Sequence, residues 1–163
     1  MAERAIRIFG DPVLKSVCRP VDPADPGTAG LVADLVDSVT IPGRAGVAAN
    51  QIGVDQRAFS YNIDGDIGYV LNPVLVEVSG EPEMINEGCL SVPDLWYPVL
   101  RYPHARVEGV DLEGNPVVLE GDGLLAQALQ HETDHLDGKL YLDRLDRENR
   151  GKAYRQIRES DWF

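Results

Sequence analysis

Hydrophobic residues at helical spacing mark three segments of this chain. In the first segment, five apolar residues recur every three or four positions: Leu31, Val32, Leu35, Val36 and Val39. We therefore expect an amphipathic helix over about 28–40, stopped by Pro42 and Gly43. The helical period returns over 123–135, and a last helix is predicted over about 147–159.

Between 57 and 120 the apolar residues alternate with other residues, which is typical of β-strands. Two such runs are present, one with Phe59, Tyr61 and Ile63, the other with Val74, Val76 and Val78. The sequence Glu113-Gly114-Asn115 separates two short apolar runs, as a hairpin turn does. Strands in the middle of the chain with helices segregated at its ends predict an α+β fold with mainly antiparallel sheets, and not a βαβ repeat.

Length and composition are those of a single globular domain spanning 1–163. A chain of 163 residues with 44% hydrophobic and 26% charged residues can build a hydrophobic core without disulfide bonds. No repeat or linker divides it. Its apolar runs are too short to cross a bilayer, and its first residues lack the apolar region of a secretory signal. We therefore expect a cytoplasmic protein with no membrane partner.

The charge of the chain is strongly acidic but uneven. The formal net charge of −12 repels phosphate backbones, so nucleic-acid binding, to DNA above all, is disfavoured as the main function. The segment 144–158 differs, because it carries six basic residues against two acidic ones. A solvated helix face is the common explanation of such a run.

The strongest chemical signal is the run from Gln130 to Gly138, which contains the pattern H-E-x-x-H. On a helix, His131 and His135 lie one turn apart on one face, so both imidazoles can reach a single metal ion. Glu132 lies beside the first histidine, where its carboxylate can reach a water molecule on that ion. Two of only three histidines fall in this pattern, which makes coincidence a poor explanation.

A catalytic metal site of this kind needs a third protein ligand and one open position. Tyr141 stands where a third histidine would fall in an extended H-E-x-x-H motif, and His104 has no ligand-like surroundings. Cys89, in the sequence E-G-C-L-S at 87–91, is the better candidate, although an isolated cysteine is more often a buried hydrophobe. Cys89 and Cys18 do not make a disulfide framework.

Three ordered motifs give this chain a resemblance to the peptide deformylases. Residues 87–91 match the motif EGCLS, 130–138 match QHExDHLxG, and 44–51 match GxGxAAxQ with one departure. The sequence Gly-Asp-Pro-Val-Leu at 10–14 also looks like the start of the family. The resemblance implies antiparallel sheets around a central H-E-x-x-H helix, with N-terminal and C-terminal helices. It also implies removal of the N-formyl group from the formyl-methionine of nascent peptides, with release of formate.

By this resemblance, Cys89, His131 and His135 would hold one divalent metal ion. Sites of this composition accept several ions, and we expect Fe²⁺ in cells, with Zn²⁺ or Ni²⁺ able to replace it. Glu87 and Gln130 would lie behind these ligands, where a ligating histidine finds an acceptor for its second nitrogen.

The same resemblance assigns the catalytic residues. Glu132 would act as general base and then general acid, taking a proton from the attacking water and passing it to the leaving amine. Gln51 and the backbone N–H of Leu90 would bind the developing oxyanion. The candidate peptide-binding residues are Gly46, Val47 and Glu87.

Two positions depart from what the family motifs and a methionine pocket would require. Arg44 replaces the first glycine of the first motif. If the loop needs a positive φ there, the preceding Gly43 could supply it. The long cationic side chain of Arg44 could contact the peptide. We expect altered substrate affinity and no loss of chemistry. Gln127 lies one turn before His131, where a hydrophobe would line the pocket, and we expect it to point to solvent at the rim.

Three functions remain open on the sequence alone. The first is a deformylase acting on formyl-methionyl peptides, whose basic 144–158 segment would dock on the ribosome unless it is only a solvated helix face. The second is a different metal hydrolase, such as an endopeptidase. The third is a paralogue that binds metal without catalysis and serves as a binding or resistance module.

Overall fold

The computed structural model describes residues 2–163, in which three α-helices and seven β-strands are present. The helices are α1 (Pro26–Val39), α2 (Gly123–Leu136) and α3 (Arg147–Glu159). The strands are β1 (Gly46–Ala48), β2 (Ala58–Ile63), β3 (Asp66–Ser79), β4 (Glu83–Cys89), β5 (Val92–Arg101), β6 (His104–Val110) and β7 (Pro116–Asp122).

All pairings between these strands are antiparallel. Five strands form one sheet in the order β1-β2-β3-β6-β7, and β4 and β5 form a separate hairpin. The predicted α+β class is therefore confirmed, as is the turn at Glu113-Gly114-Asn115 between β6 and β7. In that turn the Asp111 side chain accepts hydrogen bonds from the backbone N–H groups of Glu113 and Asn115.

Capping residues set the ends that periodicity places only approximately. Helix α1 begins at Pro26, two residues before the predicted start, because the Asp25 side chain accepts a hydrogen bond from the N–H of Gly27. Helix α3 begins at Arg147 as predicted, with Asp146 capping the N–H of Asn149.

The alternation predicted along β3 is interrupted. The register of β3 against β6 shifts between Leu75 and Glu77, so that Leu75 and Val78 both pack on the core although they are three residues apart. Val74 and Val76 are exposed. A β-bulge has this effect because its extra residue reverses the side on which the following side chains point.

Helix α2 is held between the two β-structures. Its residues Ala126, Leu129 and Leu136 are buried in the core against the five-stranded sheet. Its opposite side faces the β4–β5 hairpin, through Gln127 and His131. This placement brings the end of β4 beside the histidine-bearing turn of α2.

The other two helices close the ends of the structure. Helix α1 packs its apolar face on β1, β2 and β3, whereas α3 buries Ala153 and Ile157 beside β5 and the turn at 141–144. Within residues 2–163, no helix has both the length and the apolar character that a membrane crossing requires.

Candidate active site

The three sequence motifs meet at one point in the structure. Cys89 is the last residue of β4, and Gln51 lies in a short 3-10 turn that follows β1. His131 and His135 lie one turn apart on α2, as their spacing predicts. The distances between these four residues define the site.

The metal-binding candidates bring their ligand atoms together. The Sγ of Cys89 lies 3.4 Å from Nε2 of His135, which in turn lies 3.1 Å from Nε2 of His131. All three ligand atoms lie within 4.8 Å of one another, and they are the one such group of histidine, cysteine and acidic residues found in 2–163. His104 is not part of it, because its ring pairs with Glu120 and Asp122 of β7.

Glu132 is buried beside these ligands without a hydrogen-bond partner for one of its oxygens. Its Oε2 lies 3.9 Å from Nε2 of His131, whereas Oε1 receives no hydrogen bond from any residue in 2–163. A buried carboxylate oxygen is rarely left unsatisfied in a native protein unless it serves a bound molecule. The vacant acceptor therefore fits a role toward water or substrate.

Gly46 makes room for this carboxylate. A Cβ built at Gly46 would lie 2.7 Å from Oε2 of Glu132 and 2.8 Å from its Cδ, closer than real Cβ contacts come. The constraint is one of space and not of backbone angle, since Gly46 is not among the residues with positive φ. The glycine of the first motif therefore sets the position of the Glu132 side chain.

The amide of Gln51 is fixed by hydrogen bonds on both sides. Its Oε1 accepts from the N–H of Ala48, and its Nε2 donates to Oγ of Ser91 at 3.1 Å. The same Nε2 lies 3.8 Å from the Sγ of Cys89. The amide donor is therefore held at the metal-binding residues, and Leu90 lies in the turn directly after Cys89.

A chain of buried charges stands behind His131, and most of it was not apparent from the sequence. Nδ1 of His131 lies 2.7 Å from Oε2 of Glu87, and the guanidinium of Arg101 donates to both oxygens of Glu87 at 2.9 and 2.6 Å. Arg101 also donates to Asp134, which is bound further by Arg144. Arg101 is only 2% exposed.

The charges in this network shift the ionisation of its members. Burial opposes ionisation of Glu87, but hydrogen bonds from Arg101 and His131 outweigh it and hold its pKa well below the usual range. Burial likewise disfavours protonated His131, yet the contacts with Cys89 and Glu87 place its pKa well above the ordinary value. Glu87 is therefore an ionised acceptor that fixes the orientation of the His131 ring.

Burial has opposite effects on the two other groups. It raises the pKa of Glu132 to about 7, so this carboxyl group titrates close to neutral pH. For His135, burial and repulsion from His131 both lower the pKa well below its ordinary value, so the ring is neutral.

A cavity of about 680 Å³ opens from these residues. Its polar end is formed by the site described above, and the rest of its wall is mainly apolar. The apolar wall consists of Leu90, Val92, Pro93, Leu95, Trp96, Leu124 and Ala128. Val47 does not line it, because its side chain is fully buried in the core behind β1.

The two unusual positions have clear surroundings. Gly43 takes the positive φ of the loop, at 89°, so Arg44 needs no left-handed conformation. Arg44 lines the cavity, and its guanidinium donates a hydrogen bond to the backbone carbonyl of Ser38. The expectation that Gln127 points to solvent is wrong. Its Nε2 lies 3.2 Å from Oε1 of Glu87, whose buried charge draws the amide into the cavity wall.

Comparison with known proteins finds relatives that match nearly the whole chain. A profile of the polypeptide deformylase family matches residues 3–151. The peptide deformylase of Acidothermus cellulolyticus is 48% identical over 162 residues, covering 99% of this chain and 89% of its own length. Peptide deformylase 1 of Corynebacterium efficiens is 45% identical, covering all of this chain and 99% of its own.

Solved structures show the same fold. The crystal structure of a peptide deformylase from Legionella pneumophila superposes with a TM-score of 0.89 at 35% identity, covering 97% of this chain and 95% of the other. The profile match spans the three motifs and the residues that surround the cavity. The chain belongs to the polypeptide deformylase family.

Proposed function

We propose that this protein hydrolyses the N-formyl group from the N-terminal formyl-methionine of nascent peptides and releases formate, with the residues of the candidate site carrying the reaction. This hydrolysis is the activity of the polypeptide deformylase family, and the proposed substrate is a formyl-methionyl peptide. One observation carries the assignment of residues. Three metal-ligating atoms, a buried carboxylate and a fixed amide donor converge at one end of a cavity.

The three ligands fit a divalent ion with one open position. Nε2 of His135 lies 3.4 Å from Sγ of Cys89 and 3.1 Å from Nε2 of His131, and all three atoms lie within 4.8 Å of one another, so one ion would be within reach of all three. We propose that Cys89, His131 and His135 hold Fe²⁺ in cells and accept Zn²⁺ or Ni²⁺ in its place. When bound, such an ion activates a water molecule and polarises the substrate carbonyl.

Glu132 performs the proton transfers in this proposal. Its free Oε1 accepts a proton from the attacking water, and the same carboxyl group then donates it to the nitrogen of the leaving amine. The carboxylate can do this because Gly46 gives it space and burial keeps bulk water away. The carbon–nitrogen bond of the formamide breaks, and formate leaves with the oxygen of the water.

Gln51 and Leu90 stabilise the charge that develops on the formyl oxygen. The Gln51 amide is fixed at both ends, since Oε1 accepts from the N–H of Ala48 and Nε2 donates to Ser91, so the donor does not have to reorganise during the reaction. The backbone N–H of Leu90 is the second donor in this proposal. Leu90 lies in the turn between β4 and β5, directly after Cys89, which supports this role.

The peptide backbone lies along β1, which is an edge strand of the five-stranded sheet. One side of β1 pairs with β2, and the other side is outside the sheet. Gly46 and Val47 contact the peptide through their backbone groups, since Gly46 has no side chain and that of Val47 is buried. Glu87 acts on the substrate only through His131 and the cavity wall.

The location and the ribosome contact are parts of the same proposal. We place the protein in the cytoplasm, where nascent formyl-peptides leave the ribosome. The basic side chains of α3 support docking, because Arg155 and Arg158 are exposed while Ala153 and Ile157 hold the helix to the protein. An acidic body with one basic helix directs contact with ribosomal RNA to that helix.

Formate release from formyl-Met-Ala-Ser tests the proposal, using protein purified without oxygen and loaded with Fe²⁺ or Ni²⁺. We expect turnover of this peptide and no cleavage of a quenched internal peptide. Cleavage of the internal peptide would identify an endopeptidase instead. Absence of both activities at one ion per chain would leave a binding protein.

A further inference from the structure

Helix α2 forms one wall of the cavity. In the apolar part of that wall, one side chain is polar and uncharged. Leu124 and Ala128 line the cavity from this helix, one turn apart, and Gln127 lies between them and one turn before His131. In the function proposed above, the formyl group reaches the metal-binding residues at the polar end of the cavity, so the first side chain of the peptide lies in the adjoining apolar part. An amide in the wall therefore faces that side chain.

The orientation of the Gln127 amide is fixed by its partner. The amide presents its Nε2 to Oε1 of Glu87 at 3.2 Å, and this carboxylate also accepts from Arg101 at both of its oxygens. Arg101 holds both oxygens of Glu87 from the other side. Gln127 thus hydrogen-bonds to a buried, immobile carboxylate, and its amide plane is held with it.

Part of this amide has no partner within the protein. Nε2 carries two hydrogens, of which one suffices for Glu87, and the side chain of Gln127 makes no other hydrogen bond with residues 2–163. Gln127 is half-buried in the cavity wall. A substrate side chain that packs against this amide can accept a hydrogen bond from the remaining N–H, for which no residue of 2–163 supplies an acceptor.

We propose, resting on the function proposed above, that Gln127 is a specificity-determining residue for the first side chain of the peptide. It selects side chains that carry a hydrogen-bond acceptor near their end over hydrocarbon chains of the same length. The thioether sulfur of methionine is a weak acceptor, the oxygen of methionine sulfoxide is a stronger one, and norleucine has none. Peptides that begin with oxidised formyl-methionine are therefore a further substrate class of this enzyme.

The test compares three peptides that differ only in the acceptor: formyl-Met-Ala-Ser, its sulfoxide and formyl-Nle-Ala-Ser. With Ni²⁺-loaded protein, we expect kcat/KM for methionine to exceed that for norleucine about threefold, the size of one weak hydrogen bond. In Gln127→Leu this ratio falls to about one. The ratio of kcat/KM for the sulfoxide peptide to that for the norleucine peptide falls about tenfold in the same variant. Ratios that do not change in Gln127→Leu would overturn the proposal.

Gln56→Leu is the matched control, because it makes the same chemical change at a glutamine outside the cavity. Its ratios should equal those of the wild type. Metal content is measured for every variant, and we expect one ion per chain in Gln127→Leu, since Arg101 and His131 still hold Glu87. A norleucine ratio that shifts equally in Gln56→Leu would also overturn the proposal.

Product binding separates this inference from the proposed function. Calorimetry with Met-Ala-Ser and Nle-Ala-Ser measures the same preference without the hydrolytic step. If no peptide releases formate, yet the wild type binds Met-Ala-Ser more tightly and Gln127→Leu does not, the inference stands and the hydrolytic function falls. Equal binding of both products by the wild type would overturn the inference whatever the activity.

Discussion

At the scale of single residues, the contact between Gly46 and Glu132 is the tightest steric constraint in the site. We expect Gly46→Ala to fold normally, because its backbone angles suit alanine and the clash is with the end of a side chain. The carboxylate must move, however, and a displacement of about 1 Å can reduce kcat by roughly 10²-fold. Steady-state formate release measures this loss.

Gly30→Ala is the control for that variant. Nothing lies within 4 Å of a Cβ at Gly30, and alanine suits its place in α1. Its kcat should equal that of the wild type. Equal kcat for Gly46→Ala and the wild type would remove Gly46 from the positioning of Glu132.

His104 lies outside the metal-binding residues and has its own ionisation. Hydrogen bonds with Glu120, then Asp122, raise its pKa above the ordinary value of about 6.5, and Arg106 shares the Glu120 carboxylate. A raised folded-state pKa means that protonated His104 stabilises the fold below about pH 6.5. This contribution is lost as the pH rises through the folded-state pKa.

Proton NMR of the imidazole, identified with His104→Gln, measures this pKa. We expect titration above 6.5 in the wild type and a lower midpoint in Glu120→Gln, where the carboxylate charge is gone. A midpoint at or below 6.5, or one that Glu120→Gln does not change, would contradict the account.

At the scale of elements, Arg101 joins the β4–β5 hairpin to helix α2. Its side chain bonds Glu87 of β4 and Asp134 of α2, and it is almost fully buried. In Arg101→Met both carboxylates lose a buried partner, a change that costs about 3 kcal/mol. Urea unfolding should show this loss, which corresponds to roughly 6–12 °C in Tm for a domain of this size.

Arg19→Met is the control, because it removes an arginine that is exposed and not buried. Its side chain is 76% exposed and pairs with Asp55 at the surface, so the change should stay within about 0.5 kcal/mol. Similar losses in the two variants would show that the buried network is not what joins the hairpin to α2.

The sequence predicts these elements better than the contacts between them. Apolar periodicity locates α1, α2 and α3 to within two residues, and H-E-x-x-H with E-G-C-L-S leads to the three ligand atoms that the structure brings together. Arg101 gives no such signal, because its partners lie 14 and 33 residues away and only the folded chain brings them together. The inward orientation of Gln127 depends on that same network.

At the scale of the whole molecule, charge separates α3 from the rest of the protein. The chain carries a net charge of −12, whereas α3 presents basic side chains to solvent. Deleting α3 would expose the core around Ala153 and Ile157, so charge reversal is the better probe. We expect Arg155→Glu with Arg158→Glu to keep formate release but to abolish co-sedimentation with ribosomes at low salt.

Lys15→Glu with Lys139→Glu changes the net charge equally but lies outside α3. This control should co-sediment as the wild type does. Ribosome binding that both double variants lose equally would indicate an effect of net charge and not of the helix.

In the proposed reaction, Glu132 moves the proton while Cys89, His131 and His135 hold the ion. The most direct test of these roles is formate release from formyl-Met-Ala-Ser by Glu132→Ala, with the metal content of the same sample determined. We expect one ion per chain, as in the wild type, and a kcat reduced by about 10²–10⁴-fold, the usual contribution of general acid–base catalysis. A metal-loaded Glu132→Ala with undiminished kcat would contradict the role of Glu132.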